Sequence, residues 1–562
     1  MAPSIQPAAK ETRPLEWFAR VSEDAWSRIL IALTLAAYLP SINYGFVYDD
    51  AALILLNPWM ASWRFAGKLV SHHMWASSAA SEYLPANFYR PVFMLWLLLC
   101  NRLSGGIPAA FHLANILLHI FVVLLVISIT RRLTQDRNVA LIAGLLFALH
   151  PVHIEAVVWI SGGTEVVCAV LILGSLLAYL RAGESAAHPR LWLASSVLLF
   201  GLALFTKETA IVAPVAVLAH FWTVSRHRLS QKFARSALLL IPYLLVIAIY
   251  IAVRVRVLGH FAESHFESPA SVVLGFPLRL GWYVHQLLWP FHLSVKYKPL
   301  DVATLSLWMT VPALLFLIAS ITAIVCKVRH SPAWALLGTL SFLSLCPVLL
   351  ETFTGFQDRY LYLPSIGFCV LLAWLLTRLR MHDLQAARWM SAALILVIAS
   401  ISLATVIWEE RTWETDISLF QRAVAVDPSP ATFAQLASSY ADEGNSTRQF
   451  AVLQDGIQRF PNSAGLWHKL GAYYFSKNQI DDAASSLARS QLYPAAPALR
   501  GQNQCLIGMV DYERGSLTSA EANLRAGLAA DSSFQECRST LALLLERSGR
   551  AAEARQQRAQ LP

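Results

Sequence analysis

Charge is scarce in this chain of 562 residues: Asp, Glu, Lys and Arg make up 14% of it, against about a quarter in water-soluble domains. That deficit excludes a chain that is soluble and globular throughout. Cysteine is also sparse. The seven present (Cys100, Cys168, Cys326, Cys346, Cys369, Cys505, Cys537) form no CxxC pair and no metal-ligand spacing. Five lie in or beside apolar stretches and read as small buried thiols. Cys505 and Cys537 lie one repeat apart, which permits a disulfide without favouring one. A basic soluble face is missing too. The net charge of +9 is spread over short loops such as Arg131-Arg132, Arg226-His227-Arg228 and Arg378-Leu379-Arg380. Nucleic acid is therefore not an expected partner, and the pattern is that of basic residues gathered in cytoplasmic loops.

What the chain has in excess is apolar sequence, 56% in all. From Arg28 to Trp408 one apolar run follows another, and from Glu409 to Pro562 the sequence turns polar. The expected division is a cytoplasmic segment 1–26, a transmembrane domain 27–408 with a first extracytoplasmic loop 44–107, and an extracytoplasmic tail 409–562. The first apolar run has no small-residue cleavage site and reads as a retained span.

A span needs roughly 20 apolar residues, with about 17 tolerable. The runs that qualify are 27–43, 108–130, 139–158, 165–182, 190–206, 209–225, 234–255, 305–327, 332–352, 360–379 and 387–408. Lys10, Arg13, Arg20 and Arg28 place the N-terminus inside. If 91–103 lies flat with its apolar side in lipid, and 272–293 is interfacial or re-entrant, the basic clusters stay inside. Eleven spans then deliver the tail to the outside.

The tail is self-similar at a period near that of the tetratricopeptide repeat (TPR). Pro428, Pro461 and Pro494 recur every 33 residues, and Leu466 to Tyr474 carries the Trp-x-x-Leu-Gly-x-x-Tyr pattern. Weaker copies surround Leu436, Tyr440 and Gly444, then Gly508, Tyr512, Ala520 and Leu524. The fold class expected is all-α: a polytopic helical body with a C-terminal TPR solenoid of three to four helix pairs.

Ionisable groups gather where spans emerge, and such groups are costly near hydrocarbon. Asp49-Asp50 follow the first span. Neighbouring carboxylates raise one another's pKa and suit proton transfer; a divalent cation or plain solvation are the other readings of the pair. His150, His153 and Glu155 follow the third span. Helical geometry does not turn all three to one face, so substrate hydrogen bonding or helix capping is expected and a metal is not. Lys207-Glu208 reads as an interfacial ion pair, with phosphate binding by Lys207 as the other use. Asp358-Arg359 opens the tenth span, and Arg359, like Arg90, offers planar bidentate phosphate recognition or simple interfacial anchoring.

In order along the chain, five elements resemble the GT-C membrane glycosyltransferases, in particular the transmembrane-and-TPR-containing protein O-mannosyltransferases and their bacterial relatives. They are Phe46-Val47-Tyr48-Asp49-Asp50 with Asn57-Pro58; Tyr89-Arg90-Pro91 leading to Gly105-Gly106 and Phe111-His112; His150-Pro151-Val152-His153-Ile154-Glu155-Ala156-Val157; Thr206-Lys207-Glu208; and Arg359-Tyr360-Leu361-Tyr362-Leu363-Pro364. The TPR tail belongs to the same pattern. The resemblance implies a polyprenyl-phosphate sugar donor, an acceptor hydroxyl on Ser or Thr of a protein held by the tail, and a multi-pass location. That location is the bacterial inner membrane with a periplasmic tail, or the endoplasmic reticulum membrane with a lumenal one. It implies a base at Asp49-Asp50, with Asp49 preferred, and donor-phosphate contacts from Arg359, Arg90 and Lys207. His150, His153, Glu155, Glu208 and Asp358 are expected to line the substrate site. Two positions depart from the family: Gly163 stands where many relatives carry Arg, and Gln357-Asp358 where a Glu is usual. The competing reading is a membrane-anchored TPR scaffold with no catalysis, for which eleven spans are excessive. A transporter would call for mid-span charges and an inverted repeat, neither of which the sequence has.

Overall fold

The computed structural model describes residues 22–77, 88–259, 269–298, 331–350, 355–380, 385–530 and 534–561. Among these every regular element is helical. The expected span 305–327 lies outside the described residues.

Five helices are long and apolar enough to cross a membrane: Asp24–Asn43, Pro108–Thr134, Ser161–Glu184, Leu229–Leu258 and Gln385–Trp413. A sixth is a bent pair, Arg137–Ala148 with Pro151–Val157, turned by 54°. The expected straight span 139–158 is therefore broken. Pro151 has no N–H to donate and disfavours helix at His150 before it. Four more expected spans are shorter apolar helices, Pro189–Leu204, Glu208–Val224, Trp334–Cys346 and Pro364–Leu379. Among the described residues, five or six helices are thus long and apolar enough to cross by length and composition, and four more of the eleven expected spans are shorter apolar helices.

The helix Pro91–Ser104 is too short to cross and ends at Gly105, whose φ of +67° suits a residue without Cβ. Its apolar side was expected in lipid. Instead Phe93, Met94, Leu97 and Leu98 pack with Met60, Leu69, Met74 and Trp75 of the first loop and with Phe111. The loop supplies its own apolar residues, so protein covers this face. Asn101 and Arg102 tie the same loop down by donating to the Met60 carbonyl at 2.9 Å and the Ala61 carbonyl at 2.8 Å.

The tail begins with the helix Asp416–Val426 and continues as antiparallel pairs: Pro430–Asp442 with Ser446–Arg459, Ala464–Ser476 with Ile480–Gln491, Pro497–Glu513 with Leu517–Ala530, and Gln535–Arg547 with Ala551–Arg558. Each pair buries small residues at its crossing. A Cβ on Gly471 would stand 2.7 Å from Leu487, and one on Gly508 the same distance from Leu524. Cys505 and Cys537 form a disulfide, against the expectation from spacing. They occupy inward positions on adjacent repeats with Cα atoms 5.5 Å apart, within bonding reach.

Replacing Gly471 with Val should force the first Trp-bearing pair apart and cost about 1–3 kcal/mol by overpacking. A thermal melt of the full chain, followed by tail tryptophan fluorescence, should show an earlier tail transition.

Candidate functional site

The two acidic residues after the first span have different surroundings. Asp50 is fully buried. It accepts from Val47 N–H at 3.2 Å, from Ser161 N–H at 2.9 Å and from the Ser161 hydroxyl. Burial pushes its pKa up to about 7 against those bonds. Asp50 thus pins the first loop to the turn Ser161–Gly163 that precedes the helix Thr164–Glu184. Asp49 is partly exposed, and among the described residues no group hydrogen-bonds to its carboxylate. Partial burial raises its pKa to about 6, with Arg359 and Lys296 pulling it down and Asp416 pushing it up.

Each basic residue expected at the phosphate is paired with a carboxylate. Arg359 bonds Glu155 through its guanidinium and, at 2.9 Å, through its backbone N–H. Lys207 pairs with Glu165, both side chains almost wholly buried. Arg90 grips Glu208 with two bonds of 2.7 and 3.2 Å. The expected pairing of Lys207 with its neighbour Glu208 is therefore not formed. The backbone is extended at Lys207 and enters a helical turn at Glu208, and the two side chains find partners on different elements. The three pairs surround Tyr360: Lys207 Nζ lies 4.8 Å and Arg359 Cζ 5.2 Å from the ring centroid. Arg359 also packs over Trp159 at 5.1 Å.

The other expected site residues diverge. His150 reaches the Leu287 carbonyl at 3.1 Å and caps Val152 N–H; His153 meets the Ser365 hydroxyl at 2.8 Å and is fully buried. They point to different elements from Glu155. Among the described residues no three His, Cys, Asp or Glu converge as a metal site. Asp358 is buried and accepts from Gln286 at 3.2 Å, Ser294 N–H at 3.2 Å and Tyr297 at 2.7 Å. Burial, followed by the charge of Glu155, lifts its carboxyl well above the usual range. It anchors the segment after the helix Pro269–Leu288 and does not reach Asp49.

That segment carries a residue the sequence reading passed over. Lys296 Nζ has no hydrogen bond or ion pair among the described residues; it sits 5.9 Å from the Tyr48 ring and faces Asp49. Burial lowers its pKa and Asp49 opposes that fall. No local motif marked it, because its position follows from Asp358 holding Ser294 and Tyr297. Gly163, the departure from the family pattern, packs against Asn115: a Cβ there would stand 2.4 Å from the Asn115 amide oxygen. A side chain at that position requires the Asn115 amide to move.

Residues 89–255 match the family described as dolichyl-phosphate-mannose-protein mannosyltransferase. Human protein O-mannosyl-transferase TMTC4 is 26% identical over 487 residues, 75% of this chain and 65% of the relative. The chain resembles the TMTC-type membrane glycosyltransferases. A Caenorhabditis elegans protein O-mannosyl-transferase, F38B6.6, is 26% identical over 72% of this chain and 58% of its own length. The chain spans less than two thirds of the length of these relatives. A solved oligosaccharyltransferase from Archaeoglobus fulgidus aligns with 77% of this chain and 59% of its own, at 15% identity and a TM-score of 0.37. The matched family segment contains Arg90, His150, His153, Glu155, Lys207 and Glu208 and leaves out Asp49, Lys296 and Arg359.

The Lys207–Glu165 pair is sealed from water, so removing one partner strands the other. Glu165→Gln should destabilise the protein by about 3–5 kcal/mol, and adding Lys207→Met should recover most of that. Thermal inactivation of single and double mutants in detergent checks both expectations.

Proposed function

We propose that the chain transfers a sugar, mannose by its relatives' names, from a polyprenyl-phosphate donor to a Ser or Thr hydroxyl of an acceptor protein, at the extracytoplasmic face. The observation that carries this reading is the state of Asp49. It is an accessible carboxylate without a hydrogen-bonded partner, held beside two cations at the mouth of the loop. A base must be ionised and free to accept a proton near working pH, and a pKa near 6 meets that need. Asp50 is fully committed to Ser161 and Val47 and serves to hold the loop.

In this mechanism Asp49 takes the proton from the acceptor hydroxyl as its oxygen attacks the anomeric carbon. The bond to the lipid phosphate breaks, and the phosphate leaves with the electron pair. Lys296 and Arg359 stabilise its charge. Among the described residues Lys296 has no carboxylate in an ion pair to give up first. Arg359 is already oriented by Glu155, and its planar guanidinium stays partly accessible. Arg90 and Lys207 are neutralised by Glu208 and Glu165, and Lys207 packs over the Tyr360 ring. No step here draws on a metal; a divalent cation would have to be recruited with the donor phosphate.

The Cys505–Cys537 disulfide supports an oxidising compartment for the tail, since such bonds persist outside the cytosol. The TPR array supports a protein acceptor, because stacked helix pairs present a concave binding surface.

The test uses the full chain in liposomes with polyprenyl-phosphate-mannose and a Ser/Thr-rich peptide. Asp49→Asn should abolish transfer while leaving the melting temperature unchanged; transfer at the native rate would refute the base. Activity of the native protein should fall as pH drops through about 6, because protonation removes the base. Lys296→Ala should lower kcat on the order of a hundredfold, in the range seen when one charge-stabilising group is lost. An unchanged kcat would remove Lys296 from the phosphate site.

A further inference from the structure

Tyr48, immediately before the acidic pair, has a φ of +58°. A bulky L residue disfavours this left-handed conformation and keeps it only where its surroundings impose it. Here the surroundings come from the far end of the chain. The Tyr48 N–H donates to Asp416 Oδ1 at 2.7 Å, across 368 residues of sequence. Its ring packs against Phe420, with centroids 5.9 Å apart, and against Trp159 at 5.5 Å. Asp416 and Phe420 are four residues apart on the helix Asp416–Val426, so they share one face. The Thr415–Ser418 capping box fixes the start of that helix and with it the place of Asp416.

We propose that Asp416 is a positioning residue: through the Tyr48 N–H it sets the direction in which Asp49 points, so that the first helix of the tail completes the catalytic end of the membrane body. The inference rests on Asp49 being the base. The residue after a left-handed Tyr48 leaves the chain in a direction that an extended Tyr48 would not allow. Losing the acceptor at position 416 removes the hydrogen bond by which the tail holds the turn.

The charges around the pair are Arg359 and Lys296, which favour ionised Asp49, and Asp416, which opposes it; Asp442 faces Asp416 in turn. Asp416 therefore also keeps Asp49 basic.

The experiment measures transfer by the full chain in liposomes, from polyprenyl-phosphate-mannose to peptide, across a pH series. Asp416→Ala should lower kcat on the order of ten- to hundredfold through misplacement of the base, with donor KM within about twofold of native. Asp416→Asn keeps an oxygen for the Tyr48 N–H. It should recover most of kcat, and the acid limb of its pH profile should move to lower pH because a negative charge beside Asp49 is gone. Arg558→Ala removes an ion pair within the last helix pair of the tail, to Glu546 at 2.7 Å, and should leave kcat unchanged. Native kcat in Asp416→Ala, an Asn variant as poor as the Ala variant, or an equal loss in Arg558→Ala would each overturn the proposal. An active Asp49→Asn would instead remove the base reading itself, whereas an inactive Asp49→Asn beside a fully active Asp416→Ala would overturn positioning alone.

Discussion

An apolar helical body cannot hold an uncompensated charge, and this constraint organises the loop end of the protein. Isolated ions taken out of water carry a penalty of several kcal/mol each, repaid only by a well-placed partner. Arg90 answers Glu208, Lys207 answers Glu165 and Arg359 answers Glu155. Each pair joins segments distant in sequence, from 42 residues for Lys207 and Glu165 to 204 for Arg359 and Glu155. Neutralisation and assembly are thus the same event: Arg90–Glu208 joins the first loop to the turn after Thr206, Lys207–Glu165 joins that turn to the helix Thr164–Glu184, and Arg359–Glu155 joins the turn before Pro364 to the broken helix after Pro151.

The exceptions to that rule are the two groups to which the proposed function assigns the chemistry. Asp49 and Lys296 are both partly buried and neither has a committed partner. Each acts on the other electrostatically, and Lys296 Nζ lies 5.9 Å from the Tyr48 ring. Around them the other carboxylates are occupied: Asp50 by Ser161, Asp358 by Gln286 and Tyr297, Asp416 by Tyr48. A rigid surround with two unspent charges is what preorganisation for a transferring phosphate requires.

The tail belongs to this construction. Its first helix holds Tyr48 and also clamps the segment that bears Lys296. Arg422 donates to the carbonyls of Phe291 and Leu293 and pairs with Glu409, while Asp427 accepts from Lys298 N–H at 2.5 Å. Trp159 and Trp413 stack with centroids 5.6 Å apart at the same junction. A repeat array that recruits acceptor would therefore act from a base already bonded to both sides of the site.

Much of the architecture follows from local sequence. Apolar runs announce the helices, and the recurrence of Pro428, Pro461 and Pro494 with Trp467 and Gly471 announces the solenoid, because helix formation and pair packing depend on neighbours within a turn or a repeat. The acidic pair after the first span and the basic residues at 90, 207 and 359 are legible for the same reason: charge beside hydrocarbon is conspicuous wherever it stands. What sequence could not determine is which charge meets which. The chain places Lys207 next to Glu208, and folding separates them; it places Asp49 next to Asp50, and folding buries one and frees the other. Lys296 stands in an unremarkable segment, and only Asp358 and Arg422 bring it to Asp49. Partner choice is set by the packing of segments hundreds of residues apart, and the penalty for an unpaired buried charge selects among the arrangements that packing allows.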